Sequence, residues 1–173
     1  NLHEFGNNQT GAFAVDLIGP ADGITFSGFA TTGTTTFDSL KFGTTGGGSA
    51  FYQHTSTSGN LSFLDELVIA NTGEAFFNLF GNTIAADGLT TLNAGGTLNI
   101  AGGTLNANGG MLVNGGTLSH TTGGLNFGNG STFTASNNAQ VSYAGSKTIN
   151  NGQIYQFHKL LGQQRRHRRG DLP

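Results

Sequence analysis

A glycine doublet recurs every six to eight residues through residues 95–133, and this spacing constrains the fold more than any other feature of the sequence. The doublets begin at Gly95, Gly102, Gly109, Gly115 and Gly123. Between them apolar and polar residues alternate, as in the Thr-Leu-Asn-Ile run at 97–100. Alternation with a period of two is the signal of a β-strand. Glycine supplies the left-handed or tight backbone that a corner requires. The stretch therefore predicts short strands joined at glycine corners.

Units of six to eight residues are too short to hold both a full strand and the turn of a hairpin. Each unit has the length of one side of a coil. A parallel β-helix stacks such coils about 4.8 Å apart, so that apolar side chains form ladders inside it. Two units per coil and three units per coil both fit the spacing. Three sides are favoured because the step from Gly95 to Gly115 then spans one full turn. We therefore predict an all-β fold, a right-handed parallel β-helix (β-solenoid).

A second repeat supports this prediction. Residues 37–46 align with residues 64–73, displaced by 27, so that Phe37 matches Leu64 and Leu40 matches Leu67. The repeat also favours strands over a short helix for residues 62–69. A weaker third copy begins at Tyr155. We expect three segments: an N-terminal cap or edge strand at 1–20, the β-solenoid at 21–160, and a flexible basic C-terminal tail at 161–173.

The charge of the chain is low and unevenly distributed. Charged residues make up 9% of the sequence, against a norm of about 25%. The net charge of −2 combines a body of −6 with a last fifteen residues of +4. A weakly acidic body argues against nucleic-acid binding, which depends mainly on cations that contact phosphates. The chain has no Cys, which excludes disulfides, thiolate metal sites and a cysteine nucleophile. No apolar run is long enough for a membrane span.

Three segments of the sequence resemble those of a known family. Residues 64–73, the Gly-Asn-Thr-Ile run at 81–84 and the Leu-Thr-Thr-Leu run at 89–92 resemble the Gly/Thr/Asn-rich β-solenoid repeats of large bacterial surface proteins. The Gly-Gly-Thr-Leu units are similar to autotransporter-passenger or adhesin-type repeats. The resemblance covers about residues 30–160. It implies export and a structural or adhesive role, so we expect an extracellular or cell-surface protein.

Catalytic chemistry is poorly supported by the sequence. Polysaccharide-active β-helix enzymes need clustered carboxylates on one face, yet Asp87 and Lys147 are the charged residues between 75 and 158. Asp38 and Asp65 are one repeat apart, with Lys41 nearby, but solvated strand residues are the better interpretation. The five histidines lack metal-ligand spacing, and no cofactor motif is present. We therefore expect no enzyme activity, no cofactor and no metal.

The outward Thr and Asn residues form the candidate binding face. They are Thr97, Asn99, Thr104, Asn106, Thr117 and Ser119. Regular rows of this type order water in ice-binding solenoids. A glycan is the alternative ligand for this face. With three sides per coil, however, Thr104 lies on a different face from Thr97 and Thr117.

The basic tail is a separate candidate for contact with anionic surfaces. Its arginines are Arg165, Arg166, Arg168 and Arg169.

These observations predict a non-enzymatic structural or adhesive protein. We expect a segment or subunit of a bacterial surface fibre that self-associates through strand ends into a homo-oligomer or filament. A glycan or other surface ligand is a further expected partner, and nucleic acid is not. An ice- or glycan-binding solenoid is the alternative, and a polysaccharide-active enzyme the second alternative.

Overall fold

The computed structural model describes most of the chain. Side chains are described in residues 33–44, 48–55, 59–70 and 73–144, and backbone strands at Val15–Gly19, Ile24–Ser27 and Ile154–Phe157. Residues 1–14, which form most of the predicted cap, and the predicted basic tail at 161–173 lie outside the described residues. The tail arginines Arg165, Arg166, Arg168 and Arg169 therefore lie outside them too.

The described part of the chain is an all-β, parallel β-solenoid with three faces. Face A consists of β1 (Val15–Gly19), β4 (Leu40–Thr44), β7 (Leu67–Ile69), β10 (Thr90–Asn93), β12 (Met111–Asn114), β14 (Thr132–Ser136) and β16 (Ile154–Phe157). Face B consists of β2 (Ile24–Ser27), β5 (Ser49–His54), β8 (Glu74–Leu79), the first parts of β11 (Gly96–Ala107) and β13 (Thr117–Phe127), and β15 (Gln140–Tyr143). Face C consists of β3 (Thr34–Phe37), β6 (Asn60–Phe63), β9 (Thr83–Ala86) and the second parts of β11 and β13.

The strand register confirms three sides per coil. Thr97 pairs with Thr117, 20 residues further on, and all named strands that pair do so in parallel. The 27-residue repeat is also confirmed on face A, where Leu40 pairs with Leu67. Coil length varies along the chain, from 27 residues at this step to 20 between Thr97 and Thr117 and 23 between Thr117 and Gln140. Among the described residues no helix is long and apolar enough to cross a membrane.

One predicted alignment is wrong by a single residue. Phe37 pairs with Phe63 rather than with Leu64, and the two rings stack with their centroids 5.9 Å apart. Leu64 follows at the corner and is 49% exposed. The second repeat has one more residue between face C and face A than the first. When the two repeats are aligned so that Leu40 matches Leu67, Phe63 is therefore shifted by one residue relative to Phe37.

The glycine doublets are corners of the solenoid, as the sequence predicted. Gly95 has a φ of 82°, and a Cβ there would lie 2.6 Å from the carbonyl oxygen of Gly73 in the coil below. Gly103 has an ordinary φ, but a Cβ there would lie 2.6 Å from the Leu79 side chain. Glycine is therefore required both for backbone conformation and for close approach between coils.

The core is a set of inward columns that run along the solenoid axis. Aromatic rings fill it in the wider early coils, where the Tyr52 and Phe77 centroids are 4.5 Å apart and Phe42 packs edge-on against both. Smaller side chains such as Ile100 and Ala107 fill the shorter coils that follow. Core volume thus falls as coil length falls, which keeps the interior close-packed.

Asparagine side chains link successive coils at the corner between face A and face B. The Asn93 amide donates to the Ala70 carbonyl at 3.0 Å, and the Asn114 amide donates to Asn93 Oδ1 at 3.2 Å. Asn137 then donates to Asn114 Oδ1. This ladder satisfies amide groups between coils and reinforces their register.

Candidate binding face

The outward side of face B carries two parallel columns of side chains, one residue per coil. The aromatic–threonine column consists of Phe51, Phe76, Thr97, Thr117 and Gln140. The amide–serine column consists of Gln53, Asn78, Asn99, Ser119 and Ser142. The columns lie side by side because alternate residues of a strand point to the same side of a sheet.

Face B brings together four of the six predicted outward residues. Thr97 pairs with Thr117, and Asn99 pairs with Ser119. Thr104 and Asn106 lie instead on face C, where they pair with Gly124 and Asn126. The chain turns at the intervening glycine doublet, so the Thr-Leu-Asn units before and after that doublet face different directions. This separation matches the three-sided prediction.

The threonine row is short. Thr97 and Thr117 are adjacent in the aromatic–threonine column, but Phe76 precedes them and Gln140 follows them. A surface that orders water by repetition needs the same hydroxyl spacing over many coils, and face B provides it over two.

Sequence reasoning missed the aromatic pair on this face. The rings of Phe51 and Phe76 are stacked with centroids 4.9 Å apart and planes 9° from parallel. Phe51 is 41% exposed although it is a large apolar residue. A signal for the pair was present, because residues 50–53 (Ala-Phe-Tyr-Gln) and 75–78 (Ala-Phe-Phe-Asn) match at a spacing of 25.

Amide groups flank the aromatic pair. The Asn99 amide donates to Asn78 Oδ1 at 3.4 Å, a bond that uses neither the Asn78 amide hydrogens nor Asn99 Oδ1. Gln53 is exposed, and its side-chain amide has no partner within the described ranges. Amide donors and acceptors therefore lie two residues beyond each phenylalanine on the same strand and, at Asn99, on the next strand.

Among the described residues, charge borders this surface on one side. Glu74 is exposed two residues before Phe76, and the Ser49 hydroxyl donates to its carboxylate at 2.8 Å. Neither column contains a charged side chain. The ion pair between Lys41 and Glu66, at 3.5 Å, lies away from face B and is about 40% exposed at each side chain. The described part of face B is therefore neutral with one acidic edge.

Two buried polar residues support the strand that carries Phe51. Tyr52 and His54 point inward, and their Oη and Nδ1 atoms are 2.9 Å apart. Burial lowers the pKa of His54 to about 4, and burial raises the pKa of Tyr52 well above its usual range. Both side chains are neutral at pH 7 and serve the core rather than the surface.

The second buried histidine, His120, also packs within the core. His120 stacks on Tyr143 with ring centroids 4.2 Å apart, and its Nε2 is 3.2 Å from the Gly123 carbonyl oxygen. No group of three or more His, Cys, Asp or Glu residues that could hold a metal occurs among the described residues.

Comparison with known proteins gave no relative: no family model matches the chain, and no curated protein or solved structure matches it significantly.

Proposed function

We propose that this protein is a non-enzymatic, extracellular structural or adhesive protein that forms a segment or subunit of a bacterial surface fibre. The observation that supports the proposal is the continuous parallel register from β1 to β16. In a solenoid each coil contacts only its neighbours, so the coils add up to a stiff rod whose length grows with their number.

The bonds between coils favour a rod of this kind. Asn114 is linked to Asn93 and Asn137 across three coils, and the Asn126 amide donates to Asn106 Oδ1 at 3.0 Å on face C. These contacts use neutral groups, so salt does not screen them as it screens ion pairs. A mechanically continuous, salt-tolerant surface suits a structural or adhesive segment outside a cell.

Self-association through strand ends completes the proposal. β1 and β16 are the end strands of face A among the described residues. A terminal strand offers backbone groups with which another chain can pair. The low overall charge weakens the repulsion that would oppose such pairing.

Electron microscopy and sedimentation velocity test the assembly. We expect filaments whose fraction rises with concentration in the wild-type chain. Lysine on an edge strand opposes strand addition, so Gln156→Lys in β16 should shorten or abolish them. Thr134→Lys is the matched control, because Thr134 pairs with Gln156 one coil further inside. Strict monomers at high concentration would contradict the proposal.

Glycan binding by face B is the second candidate function. It is favoured by the stacked Phe51–Phe76 pair, in which Phe51 is exposed and Phe76 half-buried, beside outward amides. A thermal-hysteresis measurement separates glycan binding from ice binding. The threonine row extends over only two coils, so we expect no thermal hysteresis.

A further inference from the structure

We infer that the outward side of face B binds a neutral polysaccharide, with sugar rings on Phe51 and Phe76 and sugar hydroxyls on the neighbouring amides. The inference rests on the proposed adhesive role and names the chemical class of its ligand. It uses the aromatic half of face B rather than the threonine rows that the sequence alone suggested.

The aromatic pair provides an accessible apolar surface. Carbon atoms in van der Waals contact are about 3.5–4.0 Å apart, so nearly parallel rings with centroids 4.9 Å apart are displaced sideways. Part of each ring face is therefore left uncovered by the other. The C–H groups on one side of a pyranose ring form an apolar patch that packs on such a surface, where the π-face is electron-rich.

The amide–serine column supplies the polar half of the contact. Gln53 lies beside Phe51 and Asn78 beside Phe76, each two residues along the same strand. An amide both donates and accepts hydrogen bonds, and so does a sugar hydroxyl. Successive coils advance by about 4.8 Å, which is close to the length of one 1,4-linked sugar unit. A linear polysaccharide along the axis can therefore meet one aromatic–amide rung per sugar.

Charge selects a neutral ligand over an anionic one. The two columns are uncharged, and the single charged side chain that borders them among the described residues is Glu74. Its carboxylate repels uronates and sulfated sugars, and the acidic body of the chain adds to that repulsion. Neutral hydroxyls meet no such penalty and can donate to the same carboxylate.

A second copy of the chain fits this surface less well. A stable protein–protein interface needs about 800 Å² on each partner. A whole aromatic side chain buries about 150–250 Å², and Phe51 and Phe76 already cover part of each other. The apolar area is that of a sugar-binding platform rather than of a dimer interface.

Calorimetric titration of the full chain tests the inference. The probes are hexamers of β-1,4-linked glucose, mannose and xylose, with hexagalacturonate as the anionic comparison. We expect binding of at least one neutral hexamer and weaker binding of hexagalacturonate. The Phe51→Ala/Phe76→Ala variant should bind about tenfold more weakly or worse, because it removes both ring contacts with the sugar.

Two controls make the result decisive. Leu89→Ala removes a similarly exposed apolar side chain at a corner outside face B and should leave affinity unchanged. Gln53→Ala/Asn78→Ala keeps both rings and should also weaken binding. Absence of binding to all three neutral hexamers, equal affinity in the ring variant, tighter binding of hexagalacturonate, or a wild-type dimer that the ring variant dissociates would each overturn the inference.

The same variants separate this inference from the proposed fibre role. Filaments that form normally in the ring variant while sugar binding is lost support both. Filaments without any sugar binding overturn the inference and leave the fibre role standing. Sugar binding without filaments overturns the assembly and leaves the ligand assignment standing.

Discussion

Tyr52 and His54 are joined by a hydrogen bond inside the solenoid, with 2.9 Å between Oη and Nδ1. His54 is fully buried, and its Nε2 has no hydrogen-bond partner in the described part of the chain. A charged imidazole has little to stabilise it in this position, so the pair links core stability to pH.

Acid is expected to destabilise the protein through His54. Burial lowers the pKa of His54 from 6.5 to about 4. Between these two pH values His54 binds a proton in the unfolded chain but not in the folded chain. The contribution of His54 to the free energy of unfolding is fully present above pH 6.5. It is lost as the pH falls toward 4, by up to about 3 kcal/mol. Urea denaturation at pH 7.0 and pH 4.5 measures the loss.

A double variant provides the control for this effect. Tyr52→Phe/His54→Leu replaces both polar partners by apolar groups, and leucine matches Leu79 in the same column. The difference in stability between the two pH values should shrink in the variant. An unchanged difference would show that another group causes the acid sensitivity.

Removal of a buried hydroxyl is expected to stabilise the core. Thr90 points inward between Leu67 and Met111, is fully buried, and its Oγ1 has no partner among the described residues. An unsatisfied buried polar group costs about 1–3 kcal/mol, so Thr90→Val should raise the free energy of unfolding by about 1 kcal/mol. Thr91→Val, one residue on and outward, should change it little. A destabilised Thr90→Val variant would imply a water or partner at this hydroxyl.

Neighbouring phenylalanines should differ sharply in their effect on stability. Phe77 is buried against Tyr52 and Phe42, whereas Phe76 points outward. Phe77→Ala leaves a cavity and should lower the free energy of unfolding by about 3–5 kcal/mol. Phe76→Ala should lower it by about 1 kcal/mol or less, because it loses one exposed stacking contact. Thermal or urea denaturation compares them, and equal losses would contradict the inward–outward assignment.

Two glycines separate backbone strain from steric clash. Both Gly95 and Gly33 have positive φ, of 82° and 106°. A Cβ at Gly95 meets the Gly73 carbonyl, while none of the described atoms lies within 4 Å of one at Gly33. Gly33→Ala should cost about 1–2 kcal/mol for conformation alone, and Gly95→Ala about 1–3 kcal/mol more for the clash. Urea denaturation of both variants measures the difference, and equal costs would show that coil contact at Gly95 adds nothing.

The coil could be predicted from the sequence because each repeat period equals the number of residues in one turn. The steps from Gly95 to Gly115 and from Leu40 to Leu67 are each one turn in the structure. Leu98 and Ile100 are inward and Thr97 and Asn99 outward, as alternation predicted. Such patterns are readable because a strand repeats its environment every two residues and a coil repeats it every turn.

The same patterns do not specify the corners, where the period of two is interrupted. Phe63 and Leu64 are both apolar, and only the packing of Phe63 on Phe37 determines which one is inward. A corner's length and angle depend on the coils above and below it.

What the sequence determined by itself is the kind of structure: short strands, glycine corners and an apolar interior, since these follow from local conformational preference and from hydrophobic alternation. Tertiary structure decided that the outward phenylalanines share a surface with the amide residues beside them. Phe51 and Phe76 are 25 residues apart and become stacked neighbours because the parallel register places them in adjacent coils. That register is set by the combined packing of every coil on the next.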